Sequence, residues 1–114
     1  IYVDDLVDGL IRCAERGVAG DVYNLASGAE ISIHQLAERI NRIAENAAPI
    51  QMLPRRSWDR SGRRFGSTEK AKRELGFEAR VSHNDGLRRT VAWTREHRTL
   101  IDRCIAAHQH RLSA

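Results

Sequence analysis

Short apolar runs alternate along the chain with longer segments whose apolar residues recur at helical spacing. Residues 1–3 read as the end of a strand. Asp4 or Asp5 then caps a helix in which Leu6, Leu10, Cys13 and Ala14 fall at helical spacing, and Gly17 and Gly20 end it. Residues 22–25 predict a short strand turned by Ala26-Ser27-Gly28. Ser32, with Gln35 three positions on, has the spacing of a capping box. A second helix is therefore predicted, with Leu36, Ile40, Ile43 and Ala44 as its buried stripe. Pro49 opens a third strand at residues 50–53, which stops at Pro54.

Between residues 55 and 67 neither period is present. A loop of about 12 residues inside a small domain is more often functional than structural. Thr68 then starts a short helix that runs through Leu75 and closes at Gly76. Ser82, with Asp85 three residues on, opens the last helical region, which carries Leu87, Val91, Thr94, Leu100, Ile101, Cys104, Ile105 and His108. The pattern leaves open whether that region is continuous or breaks near His97. The predicted order gives an α/β chain of about four helices and three short strands.

Composition narrows the picture. A length of 114 residues, 41% hydrophobic, holds one folded domain. No stretch approaches the roughly 20 apolar residues of a membrane-spanning helix, and no membrane association is expected. The net charge of +4 is concentrated: residues 55–73 hold eight basic and two acidic side chains, so this stretch is +6 and the rest of the chain −2. All its basic residues but Lys70 and Lys72 are arginines, the better bidentate partners for phosphate; a solvated basic face is the plainer reading. Cys13 and Cys104 form no CxxC pair and read as buried thiols of a cytoplasmic protein. His97, His108 and His110 follow no metal-ligand spacing, so no metal site is expected. Neither a GxGxxG nor a GxxxxGK[ST] phosphate loop occurs.

Four segments taken in order carry a resemblance. IYVDDLVDGL, DVYNLASGAEISI, PRRSWD with KAKRELGF, and DGLRRTVAW together resemble the C-terminal portion of the NAD-dependent epimerase/dehydratases. These are the extended short-chain dehydrogenase/reductases that modify nucleotide sugars. The likeness covers residues 1–97, leaving 98–114 as a helical extension whose apolar stripe needs a partner surface. It implies a small substrate-binding lobe, with the Rossmann half that holds NAD and a Tyr-x-x-x-Lys pair absent. Four residues beyond Tyr2 and Tyr23, the two tyrosines, stand Leu6 and Ser27, so no such pair exists in this sequence. No catalytic residue and no bound cofactor are thus expected of this chain, and a chain opening on a strand-like Ile1 reads as a piece of something larger.

The resemblance also assigns residues. Arg56 matches the arginine that contacts the substrate diphosphate. Asp59 matches a polar position near the ribose, the alternative being an ion pair within the loop. Ser32 matches a position near the phosphates, although its capping role explains it by itself. Arg63 and Arg64 would add charge. Trp58 either stacks on a base or closes the loop, and Asn24 is expected to satisfy backbone in a turn. The implied partners are a nucleotide-diphosphate sugar and either the Rossmann half or a second copy of the chain, so a homo-oligomer is expected. The PRRSWD form leans toward a UDP-glucose 4-epimerase-like member, with dehydratase and decarboxylase left open. Two other classes stand beside this reading: a self-associating structural piece and, ranked below it, a basic nucleic-acid-binding module.

Overall fold

The computed structural model describes residues 1–58, 62 and 65–112, with side chains through residue 108. It contains five helices: α1 Val3–Arg16, α2 Ile33–Ala44, α3 Glu69–Leu75, α4 His83–Glu96 and α5 Arg98–Leu112. No strand occurs among the described residues, which corrects the expectation of three. Residues 1–3, 22–25 and 50–53 have the right composition, but a strand exists only as one side of a hydrogen-bonded ladder, and none of the three finds a partner here. Tyr2 is instead the extended N-cap of α1, and Met52 and Leu53 stand exposed.

The local signals at helix ends hold. Ser32 Oγ accepts from the Gln35 N–H at 3.1 Å and Gln35 Oε1 accepts from the Ser32 N–H at 3.1 Å, a complete capping box. Ser82 Oγ accepts from the Asp85 N–H at 3.1 Å and starts α4. Gly76 closes α3 with φ +65°, a left-handed conformation that a side chain would strain. The open question at the C-terminus resolves as a break: His97 stacks on Trp93 with ring centroids 4.5 Å apart, and α5 begins one residue later.

The dry core is small. Ala71, Leu75 and Phe77 are fully buried, with Cys13, Tyr23, Leu25 and Ala79 packed around them. Helix α1 reaches this core through Gly9, where a Cβ would stand 2.9 Å from Leu25 Cδ1 and 3.0 Å from Phe77 Cε2. Arg12 and Arg16 donate to the carbonyls of Gly76 (3.0 Å) and Leu75 (3.2 Å), so α1 satisfies the C-terminal end of α3. Neither Asp4 nor Asp5 is the N-cap of α1, which corrects the expectation that one of them caps it; Asp5 has another role. It lies instead in the first turn, buried, and accepts from the backbone N–H groups of Arg80 (3.0 Å) and Val81 (2.9 Å). These bonds pin the segment before α4 to α1.

Elsewhere apolar side chains lack cover. Val3, Leu6, Val7, Leu10 and Ile11 line one face of α1 and are all exposed, Leu10 by 56%. Helix α2 has no fully buried residue: Leu36, Ile43 and Ala44 are half-buried and Ile40 is exposed, less than its stripe predicts. Cys104 is exposed on α5, which packs on α4, and Cys13 is half-buried, so neither is the fully buried thiol expected. The accessible surface is 9452 Å², against about 6,300 Å² for a compact monomer of this mass. The radius of gyration is 17.4 Å, against about 13 Å.

Candidate functional site

The basic stretch divides in two when its partners are traced. Its helical end is occupied within the chain. Lys70 pairs with Asp21, donates to the Val22 carbonyl at 3.1 Å, and sits 4.7 Å from the Tyr23 ring centroid. Lys72 pairs with Glu78 at 3.0 Å and Arg73 with Glu74 at 2.7 Å. The bond from Lys70 holds the Asp21 carboxyl below its ordinary value, and the same bond raises Lys70. Three of the eight basic side chains thus serve the fold.

The loop end is different. Arg56 is exposed, its guanidinium 5.4 Å from the centroid of the Trp58 ring, across a turn at residues 57–58. Among the described residues no carboxylate lies within ion-pair distance of it. A guanidinium lying over an indole keeps its N–H donors available to a second partner, because the ring takes its face rather than its edge. Trp58 is 72% exposed, so it does not close the loop against the helices. The Arg56–Trp58 pair thus presents an exposed guanidinium beside an open aromatic surface.

Asp59, Arg63 and Arg64 lie outside the described residues. Ser32 is placed at the N-terminus of α2, with its Oγ committed to the capping box. Asn24 Nδ2 donates to the Ser67 carbonyl at 3.3 Å, a bond to backbone as expected but across to the returning loop rather than within the turn that follows it.

Where the loop returns, a cavity of about 260 Å³ opens between Leu25, Ser27, Glu30, Phe65, Gly66 and His83. That approaches the lower end of ligand pockets, about 300 Å³. Ser27 Oγ lies 3.3 Å from His83 Nε2 on its wall, a pair that sequence reading missed because 56 positions separate the two residues. Ser27 Oγ also donates to the Ala29 carbonyl at 3.1 Å, and with His83 it forms part of the polar wall of the cavity. No group of three or more His, Cys, Asp or Glu that could hold a metal occurs among the described residues, and no described helix is long and apolar enough to cross a membrane.

No family model matches the chain. It is similar to a dTDP-glucose 4,6-dehydratase of Streptomyces griseus, 37% identical over 102 residues that make up 87% of the chain and 30% of that enzyme. It is similar also to UDP-glucuronic acid decarboxylase 1 of Arabidopsis thaliana, 33% identical over 91 residues, 80% of the chain and 20% of the relative. Among solved structures, the Bordetella bronchiseptica enzyme WbmF in complex with NAD+ and UDP superposes with a TM-score of 0.82 at 50% identity, over 97% of the chain and 33% of WbmF. The chain spans a third or less of the length of each.

Proposed function

In sequence and fold the chain corresponds to a C-terminal portion of the NAD-dependent epimerase/dehydratase enzymes, and from that premise we propose that it is their nucleotide-diphosphate-sugar-binding lobe. The observation that carries the reading is the exposed Arg56–Trp58 pair on a chain half identical to an enzyme crystallised with UDP. Arg56 supplies donors for the diphosphate, and Trp58 offers a face to the base. Asp59 accepts from a ribose hydroxyl. Arg63 and Arg64 add positive potential, and Ser32 contributes the amide end of α2 rather than its hydroxyl.

The lobe supplies affinity and orientation, and the hydride and proton transfers belong to groups it does not carry. NAD accepts and returns the hydride in the intact enzyme. None of the four helices α1 to α4 starts from a glycine-rich turn after a strand, so these residues do not fit a dinucleotide. NAD is then held by residues outside this chain, and the 114 residues alone turn over no nucleotide sugar. The exposed face of α1 favours a second, compatible reading: Val3, Leu6, Val7, Leu10 and Ile11 form a contiguous stripe that covers itself against the NAD-binding half or, in its absence, a second copy.

Calorimetric titration with UDP-glucose and with duplex DNA, at about 50 and 200 mM salt, tests the function. The expected result is saturable UDP-glucose binding that changes less than about tenfold between the two salts, with DNA binding weak and falling by about 10³ or more. Tight DNA binding with no response to UDP-glucose would make the chain a nucleic-acid module instead.

A further inference from the structure

A second basic cluster lies outside the 55–73 stretch. Helices α2 and α4 pack against each other, and at their junction Arg39, Arg42, Ile43, Asn84 and Arg88 enclose a depression of about 90 Å³. Side chains of three arginines and one asparagine therefore line it from two helices. Arg88 is 3.5 Å from Asp85, a loose exposed pair. Among the described residues neither Arg39 nor Arg42 has a carboxylate within ion-pair distance, and Arg39 is half-buried.

Such an arrangement is unfavourable by itself. Arg39 and Arg42 are like charges three positions apart on one helix face, and Arg88 brings a third from the facing helix. A cation partly withdrawn from water needs a counter-charge to offset the loss. We propose that the α2–α4 junction is a binding site for a single phosphate-sized oxyanion, held by Arg39, Arg42 and Arg88 with the Asn84 amide as a further donor. Size sets the class of ligand. The depression, about 90 Å³, has room for a small group such as a single tetrahedral oxyanion. It is far below the roughly 300 Å³ of a pocket that would hold a nucleotide. Arginine suits the ligand because its planar fork meets two oxygens of a phosphoryl group at once. The site shares no residue with the loop of Arg56 and does not depend on the function proposed for it.

The test is an NMR titration of the chain with inorganic phosphate, and in parallel with phenyl phosphate, each against sodium chloride at matched ionic strength. Saturable shifts are expected at Arg39, Arg42, Asn84 and Arg88. The R39Q/R88Q double variant should weaken binding about tenfold or more, while Arg103→Gln on the exposed surface of α5 leaves it within about twofold. Tighter binding of inorganic phosphate marks the ligand as the free ion, and tighter binding of phenyl phosphate marks it as the phosphoryl end of an ester. Chloride reproducing the shifts would overturn the proposal, as would unchanged affinity in a double variant whose amide spectrum remains folded.

Discussion

The two faces of helix α1 are the reverse of an ordinary amphipathic helix. The inward face carries Asp5, Gly9, Arg12 and Arg16, with Cys13 at its edge, and it meets the rest of the chain through hydrogen bonds, a close approach at Gly9 and the packing of Cys13 on the core. The outward face carries Val3, Leu6, Val7, Leu10 and Ile11, all exposed. A helix that had only this chain to pack on would turn its aliphatic side inward, since burying each such side chain stabilises by about 1.5–3 kcal/mol. On the proposed reading the apolar stripe is the face open to a partner, while the polar contacts of the other face hold α1 to its own chain.

Variants that remove one face at a time sharpen this contrast. The largest effect is expected where α1 meets the dry core: Leu75→Ala should cost about 2–5 kcal/mol in urea unfolding, because Leu75 is fully buried in a cluster with little else to fill the cavity. Asp5→Ala should cost about 1–3 kcal/mol by leaving the Arg80 and Val81 amides without their acceptor. Leu10→Ser on the outward face should change stability by less than about 0.5 kcal/mol. The same change should lower self-association in sedimentation velocity. A large stability loss from Leu10→Ser would mean that the stripe packs within the chain and would break the contrast.

The smallest effect is expected at the exposed Asp21–Lys70 pair, the surface counterpart of the buried Asp5 contacts. Asp21 is held below its ordinary 3.8, by the Lys70 bond first and the Val22 amide second, so its contribution is complete above 3.8 and fades as pH falls through the lowered value. Lys70 is raised above its ordinary 10.5, so its contribution is complete below 10.5 and fades above the raised value. Lys70→Met should therefore give a small loss that is constant from about pH 5 to 9. A loss that varied across that window would implicate another titrating partner.

What the sequence disclosed follows from the range of each interaction. The Ser32–Gln35 box, the Ser82–Asp85 start and the Gly76 stop are set within four residues, and each stands where its spacing predicts. The role of Asp5, one of two acids with the look of a cap, is hidden because the N–H groups that donate to it are 75 and 76 positions away and leave no local trace. The three strands failed for the same reason: residues 22–25 and 50–53 look like strands, but the ladder that would make them so is not within the described residues. At the candidate site, Arg56 stands out through the PRRSWD resemblance and the structure places it exposed beside Trp58, whereas Ser27 and His83 meet only through the fold. The Arg39, Arg42 and Arg88 cluster was hidden because its charges are split between two helices whose own windows are not notably basic.

The central claim is that Arg56 anchors a nucleotide diphosphate on a lobe that holds no dinucleotide. Calorimetry of the chain and its Arg56→Ala variant, with UDP-glucose and with NAD as separate titrants, tests it most directly. The account requires UDP-glucose binding that weakens about tenfold or more in the variant, at the cost of a charge-assisted contact, and no NAD binding by either protein. Equal UDP-glucose affinity in the two proteins, or saturable NAD binding by the unaltered chain, would contradict it.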